Sequence, residues 1–219
     1  MIEHIEQGTL APNIRACIAL TSWKKRINTV GLTIYNLFET CGPDYHIVLT
    51  LAEEEFPKKE QELPRDLVLM NKAGVFEILW CKRNIKSFKK WLPCSQKYST
   101  VPAISADDDC IYVCNYANEL YNMWSLNKHS IISFRKGNYM NHVTGPATLY
   151  APKWFNVFIQ DYRKYNPYEK TLFDDGFYDE VIARYRIPVI ALHSYFPCII
   201  HDEISPVSGG VHLHPEWGL

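Results

Sequence analysis

The sequence predicts an α/β domain with a mostly parallel central sheet flanked by helices. Apolar runs of strand length alternate with amphipathic helical patterns through the first half of the chain, which favours parallel strands joined by right-handed crossovers. The 219 residues, of which 47% are hydrophobic and 21% charged, fit one domain with a sizeable core. Polar residues directly follow two of the predicted strands, and ligands of such sheets bind beyond the carboxyl ends of the strands.

Four strand patterns and one clear helix occupy the first half. The predicted strands cover residues 14–20, 46–51, 75–80 and 101–106. After the first strand, apolar residues repeat at helical spacing over residues 30–41; Asn28 can cap this helix, and Gly42-Pro43 ends it. The Glu- and Lys-rich residues 53–62 are typical of a solvated surface helix or loop.

The second half shows a less regular alternation. The pattern predicts a helix over residues 116–124, a strand over 130–134, and helices near 154–162 and 177–185. From residue 193 onward there is little regular pattern, and this tail contains four histidines: His193, His201, His212 and His214.

Composition and charge argue against several classes of protein. A formal net charge of −1 is unlike the basic footprint of a duplex nucleic-acid binder. No apolar run approaches the roughly 20 residues that span a bilayer, and the first residues lack the pattern of a signal peptide. The seven cysteines include no CxxC pair, so we expect a reduced, cytoplasmic protein with buried thiols.

Three consecutive carboxylates, Asp107, Asp108 and Asp109, follow the fourth predicted strand. Burying an unpaired carboxylate costs several kcal/mol or raises its pKa, so a cation is expected beside them. Asp107 and Asp109 offer the hard oxygens that Mg²⁺ and Mn²⁺ prefer, and strand alternation would put Asp108 on the other side. The alternative interpretation is a solvated acidic loop.

The first predicted strand is followed by small hydroxylated residues and then cations. Thr21 and Ser22 could contact a nucleobase, and the Arg26 guanidinium offers a fork of donors to a phosphate or a uracil carbonyl. The alternative is a basic surface turn.

Residues 80–93 mix cations with aromatic side chains. On a helical wheel Lys86, Lys89 and Lys90 share one face, which could contact a pyrophosphate or anionic lipid head groups. An ordinary amphipathic helix with a solvated cationic side would show the same pattern.

Two further groups could take part in chemistry. Asp174 and Asp175 precede a predicted helix, where one carboxylate can cap the helix and the other can act as a general base. His212 and His214 alternate in the tail, where one could bind a metal, although tail histidines are commonly exposed to solvent.

The order of these motifs resembles that of small bacterial sugar-nucleotide-dependent glycosyltransferases of the GT-A fold, of the kind found in capsule, O-antigen and lipooligosaccharide gene clusters. The similarity covers roughly residues 14–190, and it depends on residues 20–27, 90–93, 106–112, 145–152 and 173–175. It implies a single GT-A-like domain with a nucleotide-binding half over about 12–112, an acceptor-side half over about 113–192, and a tail over 193–219.

The resemblance also implies roles on the donor side. Thr21, Ser22 and Arg26 would meet the nucleotide, and Lys90 would meet the nucleotide or its diphosphate. The acidic triplet corresponds to the DxD region of the family. Asp107 would approach the ribose and the metal, Asp108 would belong to the nucleotide site, and Asp109 would bind the metal directly.

On the acceptor side, the Asp174-Asp175 pair resembles the acidic motif of the family, with Asp175 as the base of an inverting enzyme. Two positions depart from the family pattern. Asn84 stands where relatives often have an acidic residue, and Gly176 stands where an apolar residue is usual. The Gly209-Gly210 pair and the tail after it are expected to form a lid over the donor.

We therefore expect a hexosyltransferase that depends on Mn²⁺ or Mg²⁺. It would move a sugar from a nucleoside diphosphate sugar, with UDP favoured, to a saccharide or lipid-linked acceptor in surface polysaccharide synthesis. It would work in the cytoplasm, with peripheral contact at the inner membrane surface allowed. The alternatives are a non-catalytic carbohydrate- or partner-binding protein and a nucleotidyltransferase of related fold, although residues 21–27 lack the Gly-rich loop of the latter.

Overall fold

A seven-stranded sheet forms the centre of the protein. The computed structural model describes residues 3–134, 144–164 and 174–192, together with the backbone of 198–200. The strands are β1 Ala16–Thr21, β2 Tyr45–Ala52, β3 Glu77–Cys81, β4 Ala103–Ser105, β5 Cys110–Tyr112, β6 Ile131–Ser133, β7 Thr148–Tyr150, β8 Val189–Ala191 and β9 Cys198–Ile200. The order in the large sheet is β3-β2-β1-β4-β7-β6-β8, and β5 pairs with β9 in a separate two-stranded sheet.

All strands of the large sheet except β7 run in the same direction. β1 pairs in parallel with both β2 and β4, β2 with β3, and β6 with β8, whereas β7 is antiparallel to β4 and β6. The prediction of a mostly parallel sheet is confirmed. Because parallel strands end at a common edge, the loops that follow β1 to β4 emerge side by side.

Helices cover both faces of the sheet. They are α1 Val30–Cys41, α2 Arg65–Lys72, α3 Leu92–Lys97, α4 Tyr116–Leu126, α5 Phe155–Lys164 and α6 Asp174–Tyr185, with short 3₁₀-helices at Lys59–Glu62, Lys86–Lys89 and Pro152–Trp154. One apolar cluster joins α1, α2 and α4 to the sheet, and the other joins α3, α5 and α6.

The first strand shows how the two clusters arise. Ile18 and Leu20 belong to the cluster with α1, and Cys17 and Ala19 belong to the cluster with α3. Successive side chains of a strand point to opposite faces, so a strand covered on both sides must be apolar at every position. This requirement explains the continuous apolar run that predicted β1.

Several predicted boundaries and elements differ from the structure. The helix α1 begins at Val30 with Thr29 at the N-cap position, so the predicted Asn28 cap is wrong. The helix α6 begins at Asp174, three residues before the predicted start, which places both aspartates in its first turn. The strands β5, β7, β8 and β9 and the helix α2 were not predicted. The equally short strands β4 and β6 were predicted because they lie within longer runs of strand-like residues, and α2 follows a stretch interpreted as solvated.

Candidate active site

The carboxyl ends of β1 to β4 and the first turn of α6 surround a cavity of about 410 Å³. Every predicted site residue that the structure describes lines it: Thr21, Ser22, Arg26, Lys90, Asp107, Asp108, Asp109, Asp174 and Asp175. The fold therefore brings together segments that are far apart in the sequence.

Asp108 anchors the acidic triplet to the end of β1. Ser22 Oγ donates a hydrogen bond of 2.6 Å to Asp108 Oδ2, and Arg26 Nη1 donates one of 2.8 Å to Asp108 Oδ1. Arg26 Nη1 also lies 2.9 Å from Asp109 Oδ2. Burial lowers the pKa of Arg26, but Asp108 and Asp109 raise it above its ordinary value, so the guanidinium stays charged. Both carboxylate oxygens of Asp108 already accept hydrogen bonds within the protein. The predicted contact of Asp108 with a nucleotide stays a prediction.

Residues that the sequence did not single out hold the backbone of the triplet. Thr33 Oγ1, on α1, lies 2.9 Å from the carbonyl oxygens of both Asp108 and Cys110. The backbone N–H of Asp107 donates to the Tyr112 hydroxyl at 2.7 Å. A buried hydroxyl on a helix and a tyrosine on a strand are common in cores, so only the tertiary packing shows this role.

Asp107 and Asp109 come close enough to share a cation. One ligand atom from each, with the Cys110 thiol, lies within 4.8 Å of the others. The strand β4 ends at Ser105, so the triplet follows the strand and strand alternation does not apply to it; Asp108 and Asp109 both contact Arg26 Nη1. Burial raises the pKa of Asp109 to about 7, with further increases from Asp107 and Asp108 that Arg26 only partly offsets.

The donor set fits a hard divalent ion. The two carboxylates supply oxygen ligands of the kind that Mn²⁺ and Mg²⁺ accept, and a second positive charge would relieve the repulsion that raises the pKa of Asp109. The Cys110 thiol is buried and lies 3.7 Å from Asp109 Oδ1; its soft sulfur suits such an ion poorly.

Lys90 lies between the triplet and the acidic pair. Its Nζ is 2.6 Å from Asp107 Oδ1 and 3.7 Å from Asp174 Oδ2. Burial lowers the pKa of Lys90, but Asp107 and then Asp174 and Asp175 raise it, and the net pKa is well above the ordinary value. The ammonium is therefore a permanent positive charge inside the cavity.

Lys89 is also buried, so the alternative of a solvated cationic helix face is wrong for two of its three lysines. Its side chain is 2% exposed, forms an ion pair with Glu55, and donates a hydrogen bond of 3.0 Å to Asn84 Oδ1. Glu55 follows β2 closely and lines the cavity, which corrects for this residue the interpretation of residues 53–62 as a solvated surface helix or loop. The position of Glu55 after a parallel strand was the available signal. Lys86 is exposed at the cavity edge.

The acidic pair in the first turn of α6 has two different environments. Asp174 is 6% exposed, and its Oδ2 has no hydrogen-bond partner among the described residues. Asp175 is half-buried, and its carbonyl oxygen lies 3.3 Å from Thr144 Oγ1. Both aspartates lie in the first turn of α6, close to the positive end of the helix dipole.

The predictions on the tail concern His193, His201, His212, His214 and Gly209-Gly210. All of these positions lie outside the described residues. The proposed metal ligand His212 and the predicted lid therefore stay predictions.

Solved structures of low sequence identity share this fold. The crystal structure of S. aureus TarS 1–349 matches with a TM-score of 0.58 and 9% identity, over 84% of this chain and 60% of that chain. TarS 1–349 in complex with UDP-GlcNAc matches with a TM-score of 0.57 and 10% identity, over 84% and 58%. S. aureus TarS matches with a TM-score of 0.52 and 10% identity, over 87% and 37%.

These matches confirm the predicted GT-A-like α/β fold. The chain spans 60% of the length of TarS 1–349, and the likeness extends to the fold alone. No protein-family model matches the sequence, and no curated protein matches it. None of the helices in the described part of the chain has the length and apolar character that crossing a membrane requires.

Proposed function

We propose that this protein is a metal-dependent glycosyltransferase that uses a nucleoside diphosphate sugar, with UDP as the favoured nucleotide. The observation that carries the proposal is the cavity, which joins a metal-capable carboxylate pair and three buried cations to a separate acidic pair on α6. The similarity to TarS, which has been crystallised with UDP-GlcNAc, supports a sugar-nucleotide donor.

The charge of the cavity supports a divalent cation. Its lining contains four cationic side chains, from Arg26, Lys86, Lys89 and Lys90, against six carboxylates, from Glu55, the aspartate triplet and the α6 pair. A diphosphate entering this negative site would be repelled unless positive charge came with it. We infer that Asp107 and Asp109 hold Mn²⁺ or Mg²⁺, which when bound would neutralise the charge that develops on the departing diphosphate.

The protein's own groups would position the donor. Thr21 Oγ1 donates to the Thr50 carbonyl oxygen at 2.7 Å, which fixes the loop after β1 against β2. This loop and Ser22 would border the nucleoside, and Arg26 and Lys90 would face its phosphates. Fixed cations in a partly buried site stabilise developing negative charge better than mobile ones, because they need no reorganisation during the reaction.

Asp175 is the proposed general base. Asp175 lines the cavity from the first turn of α6, and it is more exposed than Asp174. It would accept the proton of the acceptor hydroxyl as that oxygen attacks the anomeric carbon. A saccharide or lipid-linked acceptor, a role in surface polysaccharide synthesis, a cytoplasmic location and peripheral contact with the inner membrane belong to the same proposal.

The test is a screen of UDP- and GDP-sugars for metal-dependent donor hydrolysis, run with and without EDTA. We expect turnover with a UDP-sugar and Mn²⁺, together with a rise in melting temperature when UDP and Mn²⁺ are added. Stabilisation by UDP with no turnover of any sugar nucleotide would favour a non-catalytic binding protein. No stabilisation and no turnover would overturn the proposal.

A further inference from the structure

Lys90 connects the two acidic groups of the cavity. Its ammonium forms a short ion pair of 2.6 Å with Asp107 and a longer one of 3.7 Å with Asp174. The side chains of Lys90 and Asp174 are 11% and 8% exposed, so solvent screens their attraction weakly.

The proposed metal would compete with this arrangement. Asp107 Oδ1 accepts the Lys90 ammonium, and a carboxylate oxygen of the same residue is one of the ligand atoms that could hold the metal. A divalent ion and an ammonium close to one oxygen repel each other strongly in a partly buried site. Metal binding at Asp107 therefore favours movement of the Lys90 ammonium away from this carboxylate.

Asp174 is placed to receive the Lys90 ammonium. Its Oδ2 is buried and has no hydrogen-bond partner in the described part of the chain, and 3.7 Å exceeds a charge-assisted hydrogen bond by about 1 Å. A small movement of the flexible lysine side chain would convert the longer ion pair into a hydrogen bond. The same movement would leave the ammonium inside the cavity, beside the place of the donor phosphates.

We propose that Asp174 is a positioning residue that holds the Lys90 ammonium when the metal takes Asp107. This inference is based on the proposed function and divides the acidic pair: Asp175 contacts the acceptor, and Asp174 acts through Lys90. In the metal-free state the Lys90 ammonium is paired with Asp107. When the metal binds, the ammonium moves to Asp174, beside the place of the donor phosphates.

The proposal predicts opposite effects on metal affinity for two substitutions. Lys90→Met removes the competitor, so Mn²⁺ alone should bind about three- to tenfold more tightly, while UDP in the presence of Mn²⁺ should bind more weakly. Asp174→Asn is close to isosteric and removes the alternative partner, so Lys90 should stay on Asp107 and Mn²⁺ should bind about two- to fivefold more weakly.

Calorimetric titration of the full chain with Mn²⁺ in the absence of nucleotide measures both effects. Lys86→Met is the matched control, because Lys86 lines the same cavity and forms no ion pair with Asp107. It removes the same charge and should tighten Mn²⁺ binding by less than Lys90→Met does. Melting temperatures of all variants would show whether each one folds.

The double variant separates positioning from simple charge. If Asp174 acts through Lys90, Asp174→Asn should change the Mn²⁺ affinity by less than about twofold once Lys90 is methionine. An equal effect of Asp174→Asn in both backgrounds, or looser Mn²⁺ binding in Lys90→Met, would overturn the inference and leave the proposed function intact. A wild-type protein that binds neither Mn²⁺ nor UDP would overturn both.

Discussion

Ser22 Oγ donates a 2.6 Å hydrogen bond to Asp108 Oδ2, and this contact joins the loops after two neighbouring parallel strands across 86 positions of sequence. The Asp108 side chain is almost completely buried. The contact thus fixes the acidic triplet relative to the loop that is proposed to hold the nucleotide.

Ser22→Ala should destabilise the protein by about 1.5–3 kcal/mol, because the buried Asp108 carboxylate would keep the Arg26 donor but lose the Ser22 donor. Urea denaturation measures the change in the free energy of unfolding. Ser125→Ala is the control, since the Ser125 hydroxyl is exposed and bonds only within its own helix. Equal effects of the two substitutions would contradict the anchoring role.

Arg26→Met should cost about 3–5 kcal/mol of stability, because it leaves Asp108 and Asp109 without their buried counterion. The exposed pair of Arg15 and Asp44 provides a matched comparison, and Arg15→Met should cost less than about 1 kcal/mol. Chemical denaturation of both variants gives the two numbers. A small loss for Arg26→Met would mean that solvent or the other cavity cations replace the guanidinium.

Asp109→Ala should abolish sugar transfer while the protein stays folded, because it removes a proposed metal ligand at the cost of several kcal/mol of transition-state stabilisation. Donor turnover and circular dichroism measure the two properties. Asp44→Ala, at an exposed ion pair, should leave transfer unchanged. Full activity of Asp109→Ala, or of the wild type in EDTA, would exclude the metal role.

Asp175→Asn should lower kcat by about 10²–10⁴-fold with little change in UDP affinity, because the amide cannot accept the acceptor proton. Steady-state kinetics and UDP calorimetry separate the two effects. Glu180→Gln, an exposed change on the same helix, serves as the control. Loss of UDP binding together with activity would assign Asp175 to the donor instead.

Glu77, at the end of β3 away from the cavity, should make the stability of the protein depend on pH. Burial raises the pKa of Glu77, but hydrogen bonds from His46, Lys97 and Tyr98 lower it more, to about 2. A folded-state pKa below the unfolded value of 4.5 stabilises the protein above pH 4.5, and this contribution is lost as the pH falls towards 2.

Glu77→Gln should therefore be less stable than the wild type by about 1–2 kcal/mol at pH 7. This value is smaller than the pKa difference alone would give, because solvent partly screens the site. The difference should shrink between pH 4.5 and pH 2. Urea denaturation across this range measures it, and a difference that does not vary with pH would contradict the assignment.

The predictable part of the site follows from the strand ends. The apolar run of β1 and the acidic triplet both pointed to a common sheet edge, and Thr21 and Asp107 indeed line one cavity. The contacts of Lys89 and Thr33 could not be predicted, because each depends on a partner from a distant segment. A helical wheel shows which side chains share a face, but it does not show whether carboxylates cover that face.

The first turn of α6, and not its last, meets the cavity. In the large sheet β7 runs against its neighbours, so the chain leaves it at the edge opposite the cavity, whereas α6 begins at the cavity. If α6 ran in the other direction, the negative end of its dipole would face the cavity. Its actual direction gives two carboxylates the positive end of a helix in a region that is already rich in negative charge.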